Sequence, residues 1–187
     1  FSVFLDSKNS KTRPIYVNNY KWLGKLNYIK FLRDIGKHFT INKMLSFDSV
    51  KLRLEREQSL SYMEFNYMIL QAYDFLELNK TKNCLMQIGG SDQWGNIVNG
   101  VELVKRYSSK QVYGLTTPLI TLASGAKMGK TEKGAVWLDK KLLSSYDYWQ
   151  FWRNTDDRDV IKFLKMFTNK DVSEIESIKE KNINDLK

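Results

Sequence analysis

Three groups of residues in this 187-residue chain are of types and spacings that could do chemistry. Tyr67, Gln71 and Asp74 recur at i, i+4 and i+7, so on a helix they share one stripe within about 60° of arc. They either line one side of a pocket together or face solvent as a polar stripe. The second group is Gln87-Ile-Gly-Gly-Ser-Asp-Gln-Trp-Gly-Asn96. It reads as a strand end, a glycine break at Gly89-Gly90 and the start of a helix capped by Ser91 or Asp92. Glycines at such a turn let a ligand approach the backbone, and amide N–H groups at a helix start favour anions. The carboxyl end of a strand is also where open α/β sheets bind ligands, although a tight packing turn would use the same residues. The third group is the loop Ala126-Lys-Met-Gly-Lys-Thr-Glu-Lys-Gly134, with three lysines in seven residues. Flexible ammonium groups there could meet phosphates as point charges, or simply be solvated.

Gly129-Lys130-Thr131 invites a P-loop reading, but that pattern needs a glycine where Ser124 stands, and Gly125 is one residue too close. The residues after Thr131, through Ala135-Val-Trp-Leu138, read as a turn and a strand where a P-loop requires a helix.

The elements that must position these groups are both strands and helices. Ile15-Tyr-Val17 reads as a short strand, and Leu26 to Gly36 as a helix with Leu26, Ile29, Phe31, Leu32 and Ile35 on its apolar side. A second helix is expected from Phe47 to about Glu57 with Ser46 as N-cap. Ser61 to Leu78 is apolar on almost every side and reads as a buried helix. Asn83 to Ile88 and Leu119 to Leu122 read as strands, with a helix to about Tyr107 after the glycine break. From Ser144 onward the pattern is helical, one helix carrying Tyr146, Trp149, Phe151 and Trp152 and another starting at Asp156-Asp157.

Composition narrows the classes. With 42% hydrophobic and 13% aromatic residues the chain can bury a core. No stretch approaches the roughly 20 apolar residues of a membrane span, which points to a soluble, cytosolic protein. A single cysteine, Cys84, and a single histidine, His38, argue against an internal disulfide, a zinc site and a cysteine-protease pair. The net charge of +9, gathered mostly in residues 1–60, suits a polyanionic partner and equally suits a lysine-rich genome. The chain opens on Phe1 and stops with its last helical pattern unfinished, and so reads as a fragment.

Taken in order, Tyr67-Met-Ile-Leu-Gln-Ala-Tyr-Asp74, Gln87 to Asn96 and Lys127-Met-Gly-Lys-Thr131 resemble the bacterial-type tyrosyl-tRNA synthetases, a class I family. Asn18-Asn-Tyr-Lys-Trp22, Phe31 to Phe39 and Thr155 to Val160 extend the resemblance along nearly the whole chain. It implies an α/β fold: residues 1–143 as the second half of a Rossmann-like catalytic domain, including a helical dimerisation insertion at about 1–60 and the lysine loop at about 124–134. Residues 144–187 would begin an all-α anticodon-recognition domain. The family's first ATP motif, similar to His-Ile-Gly-His, its opening tyrosine-binding strand and most of its anticodon region have no counterpart here, so these residues alone should adenylate poorly.

By the same resemblance, Asp74 would contact the phenol hydroxyl of tyrosine, and Tyr67 and Gln71 its ammonium group. Gln87 would line the pocket and Gln93 would sit beside the tyrosyl carboxylate. Asp92 would hold the adenylate ribose, with Gly90 making room for the nucleotide. Lys127, Lys130 and Thr131 would stabilise the leaving pyrophosphate. Gly129 and Thr131 depart from the family's usual Lys-Met-Ser-Lys-Ser wording, in the manner of other bacterial tyrosyl enzymes. Lys105 and Arg106 would touch the tRNA acceptor stem, although a helix C-terminus favours cations without any RNA. Tyr62 would lie near a homodimer interface. The implied partners are tyrosine, ATP as its Mg complex and tRNA(Tyr), with no resident metal or organic cofactor, in the cytoplasm or in an organelle of bacterial origin. A non-catalytic RNA-binding relative, a P-loop NTPase and the tryptophanyl branch are the alternatives.

Overall fold

The computed structural model describes residues 5, 9, 11–128 and 136–177. Two compact units emerge, one from Ile15–Leu119 and one from Phe1–Pro14 together with Ile120–Lys187.

In the first unit, four short helices precede one long one: α1 Tyr20–Leu23, α2 Tyr28–Asp34, α3 Ile41–Leu45, α4 Asp48–Glu55 and α5 Tyr62–Lys82. Asn27, not Leu26, starts α2, because its side chain accepts the amide N–H of Lys30. Gly36 does not simply close that helix but opens a 3-10 turn, Gly36–His38. Ser46 does not cap α4; its hydroxyl donates to the Lys43 carbonyl at 2.8 Å, and Phe47 is the residue before the helix. Ile15-Tyr-Val17 forms no strand. All three side chains are exposed, and no neighbouring strand pairs with them among the described residues.

Helix α5 is fixed at both ends. Ser61 Oγ accepts the Glu64 amide while Glu64 accepts the Ser61 amide, a reciprocal capping box. Arg53 of α4 donates to the other Glu64 oxygen at 2.9 Å. At the far end Asn83 takes a left-handed conformation, φ 53°, and stops the helix. Met68, Ile69, Ala72, Phe75 and Leu76 form its buried face.

After α5 the chain forms β1 Met86–Gly90, a 3-10 turn Ser91–Gln93, helix α6 Trp94–Ser108 and strand β2 Tyr113–Thr117. The strands are parallel, in register from Met86 opposite Tyr113 to Gly90 opposite Thr117, with α6 as the crossover between them. Close approach here depends on glycine. A Cβ on Gly114 would lie 2.5 Å from Ile97 Cγ2, and one on Gly100 would lie 3.0 Å from the Phe75 ring. Helix α6 therefore sits down against the sheet and against α5. Phe75, Leu76, Leu103, Val104 and Val112 are at most 1% exposed and form the centre of the core. Losing a ring such as that of Phe75 from such a site costs about 3–5 kcal/mol.

The strand expected from Leu119 to Leu122 does not join a sheet: in the second unit Thr121 makes one antiparallel bridge to Lys127, closing a short hairpin. Helices α7 Ser145–Arg153, α8 Asp157–Phe167 and α9 Val172–Ser177 follow. Ser144 caps α7 and Asp156 caps α8, as the sequence pattern suggested. Trp152 packs edge-on against Phe163 and Phe167, which joins the first two of these helices.

Candidate active site

The polar stripe on α5 has a partner that its own sequence does not reveal. Trp22 donates its indole N–H to Asp74 Oδ1 at 2.7 Å, and Asn19 donates its amide to Oδ2 at 3.0 Å. Asn19 and Trp22 are three residues apart around α1, so one short helical turn presents both donors on one side. Both carboxylate oxygens are thereby fixed. A carboxylate has about four acceptor sites, so each oxygen keeps room for a further donor. An open concavity lies beside it, lined by Val17, Asn18, Asn19, Trp22, Asp74 and Leu78. Within α5, Gln71 is half-buried and Tyr67 is exposed. Tyr73, next to Asp74 in sequence, belongs to the core instead. Its ring stands edge-on to Phe31, and burial, followed by the nearby Glu77 charge, holds its hydroxyl proton more tightly than usual.

At the end of β1, Gly90 is required by local packing. A Cβ there would lie 2.7 Å from Asp92 Oδ1 and 2.8 Å from Leu119 Cδ2. The absent side chain lets the exposed Asp92 carboxylate lie over the strand end. Gln93 is half-buried and accepts a hydrogen bond from Asn96 at 3.1 Å. Neither Ser91 nor Asp92 caps α6. The helix is entered through the 3-10 turn, and neither element has a side-chain cap. The amides of that turn are thus not occupied by a capping side chain, which suits an anionic group. Gln87 is half-buried on β1, and among the described residues no hydrogen-bond donor meets its enclosed Oε1.

The remaining predicted residues sit on other elements. Tyr62 is 66% exposed at the start of α5, and its hydroxyl lies 2.7 Å from that of Tyr28 on α2. This contact raises the Tyr28 pKa above its ordinary value. Lys105 and Arg106 are both exposed in the last turn of α6. Arg106 is engaged on the protein itself, donating to the His38 carbonyl at 2.5 Å and pairing with Glu102 at 3.5 Å. Glu102 also pairs with Lys43. Burial, with the charges of Lys37 and Arg106, pushes His38 below the usual imidazole range. Lys127 is exposed on the second strand of the hairpin in the second unit. Lys130 and Thr131, the centre of the lysine loop, lie outside the described residues. So does most of the run through Ala135 that reads as a turn.

Sequence reasoning missed the role of Asn19 and Trp22. Asn18 to Trp22 entered only as part of a resemblance, and the available signal was their spacing of three next to an exposed apolar run. Among the described residues no group of three His, Cys, Asp or Glu side chains converges as a metal would require. No helix among them is long and apolar enough to cross a membrane.

This geometry coincides with a family-wide match. The profile of the class I tRNA synthetases (W and Y) fits residues 1–187, the whole chain. The chain belongs to the class I tRNA synthetases. Within that family it is 81% identical over 184 residues to a tyrosine–tRNA ligase of Pelagibacter ubique strain HTCC1062, a match covering 98% of this chain and 45% of that relative. It is 58% identical over 178 residues to a tyrosine–tRNA ligase of Agrobacterium fabrum, covering 95% and 43%. Among solved structures, a C-terminally truncated mitochondrial tyrosyl-tRNA synthetase of Aspergillus nidulans superposes with a TM-score of 0.75 at 36% identity, covering 92% of this chain and 49% of that one. The class I synthetase chain thus spans about half the length of the curated relatives it matches. Its small parallel sheet flanked by helices is part of a Rossmann-like α/β domain.

Proposed function

We propose that this chain works as part of a tyrosine–tRNA ligase that activates tyrosine with ATP and transfers it to tRNA(Tyr). The observation that carries the reading is Asp74: a carboxylate oriented by two donors beside an open concavity, on the stripe that also bears Gln71 and Tyr67. An oriented acceptor can take the phenol hydroxyl of tyrosine. Phenylalanine would leave it unpaired at a site built for a donor, a selectivity argument for which tyrosyl-tRNA synthetase is itself the standard worked example. Gln71 and Tyr67 would then face the ammonium group, and Gln87 would line the pocket.

In the first step a tyrosine carboxylate oxygen attacks the α-phosphorus of ATP. A P–O bond forms, the bond to the bridging oxygen breaks, and pyrophosphate leaves with that electron pair. No protein nucleophile takes part. Gln93 would align the carboxylate, Asp92 would hold the ribose hydroxyls, and Gly90 would leave the backbone open to the nucleotide. Lys127, Lys130 and Thr131 would meet charge developing on the pyrophosphate, so the protein would act by positioning and electrostatics. ATP would enter as its Mg complex.

Lys105 is the better candidate of its pair for the acceptor stem, since Arg106 is committed to His38 and Glu102. Tyr62, with the exposed Met63 and Ile29, would lie near a homodimer contact made by a helical insertion at about 1–60. Residues 1–143 would serve adenylation and 144–187 begin anticodon recognition, in the cytoplasm. A non-catalytic relative is disfavoured by the retention of Asp74, Asp92, Lys127 and Lys130. The test is charging of bacterial tRNA by the full-length protein with each of the twenty amino acids. Label from tyrosine alone should become tRNA-bound, and absence of tyrosylation would refute the reading.

A further inference from the structure

One buried charge stands apart from every residue considered so far. Asp159, in the first turn of α8, is 2% exposed. A buried carboxylate is costly unless its lone pairs are met. Here they are met by the hairpin that carries Lys127 on one oxygen and by a lysine of α8 itself on the other. Asp159 accepts the backbone N–H of Ala123 at 2.6 Å and the Lys162 ammonium at 2.5 Å. Lys162 in turn donates to the Thr121 carbonyl. Inside the hairpin, Leu122 donates to Ala126 at 2.8 Å and Met128 to Ile120 at 2.9 Å, while Gly125 makes the turn at φ 83°. Successive residues of an extended strand direct their amides and carbonyls to opposite sides. Leu122 therefore serves the hairpin partner, whereas Thr121 and Ala123 present their polar groups on the outer edge. Asp159 and Lys162 occupy that edge in place of another strand.

Burial alone would push the Asp159 carboxyl up, yet the hydrogen bonds from Lys162 and Ala123 hold it below its ordinary value, so it stays ionised. Apolar residues could also pack helix against hairpin, and often with equal or greater stability. They would not fix which backbone groups face α8. An ion pair that grips one carbonyl and one amide two residues apart does fix this.

We propose that Asp159 and Lys162 are positioning residues for adenylate formation: they lock Thr121 and Ala123 in register, and the bridge from Thr121 to Lys127 transmits that register to the first lysine of the loop. The proposal rests on the reading of Lys127 as a pyrophosphate ligand. Small displacements of charge-stabilising groups are costly, so the effect should appear in the chemical step and not in tyrosine binding.

The test uses the full-length protein carrying Asp159→Asn, Lys162→Met, Lys162→Arg or Lys127→Ala. Single-turnover tyrosyl-adenylate formation is measured per titrated active site, with tyrosine affinity measured separately. Asp159→Asn and Lys162→Met should each slow adenylate formation by about tenfold or more while tyrosine affinity stays within about twofold, and Lys162→Arg should recover most of the rate. Lys162 is partly exposed, so its variants decide the matter if Asp159→Asn does not fold. Adenylate formation at the parent rate in Lys162→Met, with Lys127→Ala slow, would overturn the clamp and leave the lysine reading standing. A parent rate in Lys127→Ala would overturn both. Loss of active sites or thermal stability without loss of rate per site would show that the pair only holds the fold.

Discussion

Trp22 and Asp74 are 52 residues apart in sequence and 2.7 Å apart in space, indole N–H to carboxylate Oδ1. Neither residue alone makes a site. Trp22 and Asn19 turn a half-buried aspartate into an oriented acceptor.

Trp22→Phe keeps an aromatic ring, though a smaller one, and removes the donor. A hydrogen bond to a charged group is worth about 1.5–3 kcal/mol, so tyrosine affinity of the full-length protein should fall by about tenfold or more. Phenylalanine affinity should hold, because no hydroxyl meets Asp74. Equilibrium binding of both amino acids checks this, and equal losses for the two would mean that Trp22 supports the fold without orienting Asp74.

Asp74→Ala and Lys130→Ala should separate binding from chemistry. The first removes the acceptor and should weaken tyrosine far more than ATP. The second, in the lysine loop, should slow adenylate formation with little change in tyrosine affinity. Stopped-flow and equilibrium titrations of the two variants decide between them, and a reversed pattern would refute the assigned roles.

Glu64 carries a pH dependence of defined sign. Hydrogen bonds from Arg53 first, then from the Ser61 amide and hydroxyl, lower its pKa from 4.5 to about 2. A depressed carboxylate stabilises the fold above its unfolded pKa, and that contribution disappears as pH falls from about 4.5 through about 2. Glu64→Gln keeps a side chain able to complete the capping box but cannot ionise. The stability difference between parent and variant should therefore shrink as pH falls through this window. Unfolding midpoints measured against pH check it, and a constant difference would show that the carboxylate's charge is not what Arg53 and Ser61 recognise.

Much of this was legible in local sequence, and what was not has one cause. Helix α5 could be read because Ser61 to Leu78 is apolar on almost every side, as a buried helix must be, whereas its capping box emerged only with the structure. The starts of α7 and α8 were readable at Ser144 and Asp156 because the apolar pattern turns helical there. Ile15 to Val17 has strand-forming residues but no neighbour to pair with among the described residues, and pairing is what makes a strand. Strand β2 was missed because Tyr113-Gly-Leu-Thr-Thr117 is short and contains glycine, while its partner β1 lies beyond a whole helix. The glycine that weakens the local signal is the one that lets Ile97 approach. Asp74 was readable as one member of a stripe, but its donors come from α1. Asp159 gave no signal beyond a helix start, because its meaning depends on a hairpin 36 residues earlier.

The most direct measurement of the central claim is amino-acid-dependent ATP–pyrophosphate exchange by the full-length protein, with tyrosine, phenylalanine and tryptophan compared at equal concentration. A site built around Asp74 predicts exchange with tyrosine and at least about 10⁴-fold less, by kcat/KM, with phenylalanine, as sites that hydrogen-bond a substrate hydroxyl discriminate. Exchange driven equally by phenylalanine, or by tryptophan in preference to tyrosine, would contradict it.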